Sequence, residues 1–227
     1  MSQNNPYSQS RSPYGNSPYG NPYQGGLATP PNRQPVATKP AGGGIGGGIH
    51  YAVLYVVAIW AVHIVNVVVY GGLLSNFGIH PLDPSALWGI FTAPLLHASW
   101  DHLISNTVPG AIFAFFIGMS GSRVFWQVTA FVMIIGGLGT WLIGGVGTNH
   151  IGASGMVYGW LVYLLVRGIF NKSFWQILIG FLLGVAYSGL IWGVLPGTPG
   201  VSWQAHLCGS IGGFIAAVNV ETRARKR

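Results

Sequence analysis

Apolar residues gather along the chain into six runs, at about 51–73, 102–119, 124–145, 154–169, 174–192 and 202–220, broken by Gly, Pro, Asn or charge. Each approaches the roughly 20 residues a helix needs to cross the hydrocarbon core of a bilayer. There the backbone must satisfy its own hydrogen bonds, and a helix does so within one segment. The pattern predicts an all-α fold, a polytopic membrane helical bundle of six transmembrane helices over residues 50–220. Two runs are diluted by polar groups: the second holds His102 and Asn106, and the sixth holds His206. Residues 1–49 break the pattern. The stretches NPYSQS, SPYGNSPYG, NPYQGG and AGGGIGGGI are rich in Pro, Gly, Asn, Ser and Tyr and nearly lack aliphatic side chains. Such a segment cannot bury a core, so a disordered tail is expected there.

Composition agrees with a lipid solvent, since only 6% of residues are charged and the mean hydropathy is +0.49. Soluble domains carry roughly a quarter charged residues. Charge then sets the orientation. With six spans, both termini and the loops after spans two and four share one side. That side receives Arg11, Arg33, Lys39, Arg123, Arg167, Lys172, Arg223, Arg225, Lys226 and Arg227, all 10 basic residues. The positive-inside rule makes it cytoplasmic, together with tail 1–49 and the short basic tail 221–227. The formal charge of +7 therefore reads as topology and a lipid-facing rim, with no nucleic acid as partner. The single cysteine, Cys208, permits no internal disulfide.

Topology also gives the polar residues a depth. Ser154 opens span four from outside, His206 lies near the outer end of span six, and His102 and Asn106 lie in the first turns of span two. All four fall in one outer layer. Polar groups at membrane depth are costly and commonly functional, and this set could supply a nucleophile, a base and an oxyanion site. The chain has three carboxylates, Asp83, Asp101 and Glu221, none well placed behind His206. That disfavours a Ser–His–Asp triad and leaves a Ser154–His206 dyad, with the imidazole held by packing. Tyr158, one helical turn after Ser154, could supply a ring for that purpose. Close approach of spans four and six calls for small residues, which Gly155 and Gly159 offer on one side and Gly209, Gly212 and Gly213 on the other. Gly152 and Gly155 leave the backbone around Ser154 uncluttered, and the Ser154 amide is free at the helix start.

These residues carry a resemblance. GASG followed by Tyr158, HLISN after an earlier His97, and AHLCGSIGG look like the hallmark motifs of rhomboid intramembrane serine proteases, in that family's order and over roughly 50–220. The resemblance implies Ser154 as nucleophile, His206 as base, and His102 and Asn106 as oxyanion donors beside the Ser154 amide. It implies a serine-type endopeptidase without cofactor or metal, in a bacterial plasma membrane, whose partners are the lipid bilayer and transmembrane protein substrates cut near the outer face. One departure is Trp88–Gly89, where many rhomboids carry Trp-Arg. Oligomeric state and physiological substrate have no signature in the sequence.

The remaining polar residues read differently. His63, Asn66, Thr129, Thr140 and Cys208 are expected to be packing groups, His97 to support the first outer loop, and His150 is a loop residue without an assignable role. Residues 75–101 are too long and apolar for a simple turn, which predicts a structured element in the outer leaflet. Residues 193–202, GVLPGTPGVS, suit a mobile cap, with substrate arriving laterally near spans two and five. Two other classes fit the hydropathy: a rhomboid-like pseudoprotease that binds clients, and a small transporter. The first would lack the serine or histidine, and the second would line several depths with polar groups.

Overall fold

A computed structural model describes residues 42–220. Among them the protein is helical, with a single isolated bridge, Ile79 to His150, in place of any sheet. The helices are α1 (Gly44–Val68), α2 (Gly89–Thr92), α3 (Trp100–Gly118), α4 (Ser122–Ile143), α5 (Ser154–Phe170), α6 (Phe174–Ala186) and α7 (Trp203–Asn219). The six long ones follow the six apolar runs. By length and apolarity α1 and α4 can each cross a membrane, and α6 can with its 3₁₀ continuation Ser188–Val194, bent from it by 71°. The protein is an integral membrane protein.

Two boundaries differ from expectation. Helix α1 starts at Gly44, inside the segment assigned to the tail; residues 1–41 and 221–227 lie outside the described residues. The early start has a packing reason: the Gly44 amide donates to the Met119 carbonyl at 2.9 Å. A Cβ at Gly47 would stand 2.9 Å from the Gly118 carbonyl, and one at Gly48 2.7 Å from the Phe115 ring. The glycine run therefore lets α1 lie flat on the end of α3. The fifth run is also not one straight helix. The ladder breaks at Tyr187, with φ −112° and ψ 22°, and the Tyr187 ring packs edge-on against Phe113 at 4.9 Å.

Helix α7 sits between α4 and α5. A Cβ at Gly209 would collide with the Gly155 carbonyl, one at Gly213 with the Gly159 carbonyl, and one at Gly212 would approach the Phe131 carbonyl to 3.0 Å. Backbone-to-backbone contact of this kind replaces a hydrophobic driving force that lipid does not supply. On the other side of the bundle, α1 packs on α3, where Tyr55 donates its hydroxyl to the Asn106 carbonyl at 3.0 Å and Trp60 Nε1 donates to Thr107 at 3.0 Å. Leu103, Phe113, Ile117, Val128, Trp160, Tyr163 and Leu164 fill the centre.

The segment between α1 and α3 is structured, as its length and apolarity predict. It contains α2 and 3₁₀ turns at Leu73–Asn76, Pro84–Ala86 and Ala93–Leu95. Trp141 of α4 donates to the Asp83 carbonyl at 3.0 Å, and Asn149 donates to the Ser75 carbonyl at 2.8 Å. Gly89 has a local reason: any side chain there would collide with the Gly78 carbonyl and press on Ile79. Glycine lets α2 close on the strand-like stretch that pairs with His150.

Candidate active site

Ser154 is the first residue of α5, and the turn leading to it is held from the first loop. The Gly152 amide donates to the Ala93 carbonyl at 2.9 Å, and the Ala153 amide points at His97 Nε2 at 3.5 Å. Gly152 has φ +119°, a region closed to most side chains, and a Cβ there would also lie 2.5 Å from the His102 imidazole. Glycine thus turns the chain sharply while leaving room for His102. As the first residue of a helix, Ser154 has an amide without an intrahelical acceptor.

His206 enters from α7. Ser202 caps that helix, its hydroxyl accepting from the Ala205 amide at 3.3 Å, so His206 lies in the second turn, facing α5. Its Nε2 is 2.8 Å from Ser154 Oγ. The imidazole lies flat on the Tyr158 ring, with centroids 4.0 Å apart and planes within 7°. Its other nitrogen, Nδ1, is 2.7 Å from the Gly193 carbonyl oxygen.

Asn106 and His102 lie on α3. Asn106 is buried, and its Nδ2 donates to the His102 carbonyl at 3.1 Å. A cavity of about 660 Å³ is lined by Ser154, His206, Tyr158, His102 and Asn106 together. Gly155 and Gly209, with Gly159 and Gly213 a turn deeper, form the helix contact beneath it.

The described carboxylates, Asp83 and Asp101, are elsewhere. Asp83 is held by the Ser85 hydroxyl at 2.6 Å and amide at 2.9 Å, which keep its carboxyl below the usual range. Asp101 is exposed in the first turn of α3, and Glu221 lies outside the described residues. His206 therefore meets a hydroxyl on one nitrogen and a backbone carbonyl on the other.

Two roles escaped the sequence reading, Gly193 and His150, and a third, His97, was read only in part. Gly193, expected in a mobile cap, belongs to the 3₁₀ segment Ser188–Val194 and contacts the base. No side chain marks it, so only its position 13 residues before His206 could have pointed to it. His150, without an assigned role, is a junction: Nδ1 is 2.6 Å from the Ser202 hydroxyl, and Nε2 is 2.8 Å from Thr148 Oγ1 and 3.0 Å from the Gly144 carbonyl. Burial pushes its imidazole below the ordinary value, partly offset by that carbonyl. It ties the end of α4 to the cap of α7. His97 does support the first loop, and it also reaches the turn before Ser154. Burial, aided by the neighbouring His102, pushes its imidazole down to about 4. His63 stacks edge-on against Trp100 at 4.5 Å, a packing position, and Thr140 donates to the Gly136 carbonyl at 2.7 Å.

Comparison with known proteins points to the same region. The Rhomboid domain matches residues 84–221, which takes in α2 through α7. An uncharacterized protein of Mycobacterium tuberculosis is 43% identical over 164 residues, covering 69% of this chain and 68% of its own length. An uncharacterized protein of Mycobacterium leprae is 48% identical over 161 residues, covering 67% of this chain and 64% of its own. A Bacillus subtilis protein, YdcA, provisionally named a rhomboid protease, is 30% identical over 136 residues, covering 56% of this chain and 64% of its own.

Proposed function

This chain belongs to the rhomboid family, and we propose that it is an intramembrane serine endopeptidase that cleaves single-span membrane proteins with a Ser154–His206 dyad. The observation that carries the reading is the 2.8 Å contact between Ser154 Oγ and His206 Nε2 at the wall of a cavity that His102 and Asn106 also line. We read six membrane crossings, both termini cytoplasmic, and a site opening towards the outer face of a bacterial plasma membrane. The ten basic residues sharing one side support that reading.

In the first half-reaction His206 Nε2 takes the Ser154 hydroxyl proton as Oγ bonds to the scissile carbonyl carbon. The negative charge that develops on the carbonyl oxygen needs donors. The Ser154 amide is one, His102 a second, and Asn106 the third. Asn106 Nδ2 carries two hydrogens, of which the His102 carbonyl takes one, leaving the other for the oxyanion. Collapse breaks the C–N bond, and His206 returns its proton to the leaving amine. Water entering the cavity then attacks the acyl-serine while His206 accepts its proton. That proton passes to Ser154 Oγ as the new carboxyl end departs. The exposed apolar faces of Ile191 and Trp192 on the 3₁₀ segment suit lateral arrival of a substrate helix between α3 and α6.

The test is cleavage of a single-span substrate by the purified protein in liposomes, comparing wild type with Ser154→Ala and His206→Ala. Loss of cleavage in both folded variants is expected. Cleavage that survives Ser154→Ala would remove the serine from the mechanism, and an inactive wild type over a panel of substrates would shift the reading to a client-binding relative.

A further inference from the structure

A hydrolytic dyad needs its histidine in one tautomer: Nε2 must be bare to take the serine proton, so the single ring proton must sit on Nδ1. In a triad a carboxylate behind Nδ1 enforces this. Here neither Asp83 nor Asp101, the acids among the described residues, lies behind His206, and stacking on Tyr158 fixes the plane of the ring without choosing between its nitrogens.

We infer that the backbone carbonyl of Gly193 takes the place of that carboxylate, accepting a hydrogen bond from His206 Nδ1–H and thereby holding Nε2 bare towards Ser154. A carbonyl oxygen can only accept. At 2.7 Å from it, Nδ1 must carry the hydrogen, because a bare Nδ1 would set two lone pairs against each other. Nε2 then has only its lone pair to offer Ser154 Oγ at 2.8 Å, and the hydroxyl must donate. One contact thus orders both hydrogens of the dyad. The same dipole, with its negative end at Nδ1, favours the imidazolium formed when Ser154 attacks, though less than a full charge would.

The position requires glycine for a spatial reason. A Cβ at residue 193 would collide with the Tyr158 hydroxyl and stand 3.1 Å from His206 Nδ1. Only a residue without a side chain can bring its carbonyl to the Nδ1 edge of an imidazole whose face is already covered by Tyr158. Gly193 is therefore a positioning residue that acts through His206. It is carried on the 3₁₀ segment Ser188–Val194, which bends away from α6 by 71°, whereas Ser154 and His206 sit on the tightly packed α5 and α7. Readiness of the base accordingly depends on where that third segment lies.

This inference rests on the dyad reading, and one readout is independent of activity. Nitrogen-15 NMR of the full-length protein in micelles, labelled at histidine, reports the tautomer of His206, with His206→Ala identifying its signals. A neutral Nδ1–H form is expected in the wild type at pH above the histidine titration. A predominant Nε2–H form would overturn the proposal, even if Ser154→Ala shows the dyad to be real. Conversely, an Nδ1–H form in a protein whose cleavage survives Ser154→Ala would leave the orientation standing and remove only its catalytic use. In cleavage assays, Gly193→Ala should lower kcat by about 10²-fold, the scale of a general-base contribution, with KM within about twofold. In the doubly substituted Gly193→Ala, Tyr158→Phe protein the hydroxyl that the new methyl group strikes is gone, and recovery of part of kcat is expected. A kcat unchanged in folded Gly193→Ala would also overturn the proposal; should neither variant fold, the wild-type tautomer decides.

Discussion

The Cα of Gly209 on α7 rests against the carbonyl of Gly155 on α5, so closely that a methyl group at 209 would collide with that oxygen. This contact lies directly beside Ser154 and one turn beyond His206, and it sets the separation of their helices. Gly209→Val should therefore push α5 and α7 apart. Overpacking of this kind costs about 1–3 kcal/mol, and cleavage should fall further than stability alone explains, because the 2.8 Å contact opens. Thermal melting in detergent alongside a cleavage assay checks this; a variant with unchanged Tm and turnover would refute the role of the seam.

Asn106→Ala removes a donor from the cavity without touching the dyad. An oxyanion donor acts mainly in the transition state, so kcat should drop by about 10²-fold while substrate binding changes little. The Asn106 backbone carbonyl still accepts from Tyr55, so α3 should keep its place. Equal loss of binding and turnover would assign Asn106 to substrate contact instead.

His97 makes stability depend on pH. Within the fold its imidazole stays neutral down to about 4, whereas in the unfolded chain it takes a proton near its ordinary 6.5. Between those values the unfolded state binds more protons, so stability is full above 6.5, declines as pH falls through the window and levels off below it. His97→Gln keeps an acceptor for the Ala153 amide and removes this titration. The Tm of the variant should therefore fall less steeply with acid than that of the wild type; parallel curves would show that His97 is not a source of the loss.

His150→Ala cuts the links from the end of α4 to the Ser202 cap of α7. Stranding those partners should cost about 1–2 kcal/mol, with a lower kcat because α7 carries His206. Hydrogen exchange at the amides of Ala205 and His206, which bond to Ser202, should quicken. Unchanged exchange there would place His150 outside the support of the base.

Much of the architecture was legible in the chain. The six apolar runs mark the six long helices because hydrophobicity over about 20 residues is a local property of sequence. In the structure Ser99 and Ser202 cap the starts of α3 and α7 with their side chains. Ser154, His206, His102 and Asn106 could be grouped by depth alone, since depth follows from position along a span, and the structure lines one cavity with all four. The start of α1 was less legible: GGGIGGG reads as a flexible tail by composition, yet these glycines are what lets α1 meet α3.

The sequence by itself determined the solvent, the helices, the inventory of reactive groups and the scarcity of carboxylates. Tertiary structure alone decided that Ser154 and His206, 52 residues apart, meet at 2.8 Å. It also decided that the far nitrogen of the base is met by the Gly193 carbonyl, and that His150 joins two helix ends. The reason is physical. Hydropathy and capping are written in side chains and act over a turn or a span. Every residue carries the same backbone carbonyl, and only packing decides which one meets the nitrogen of an imidazole.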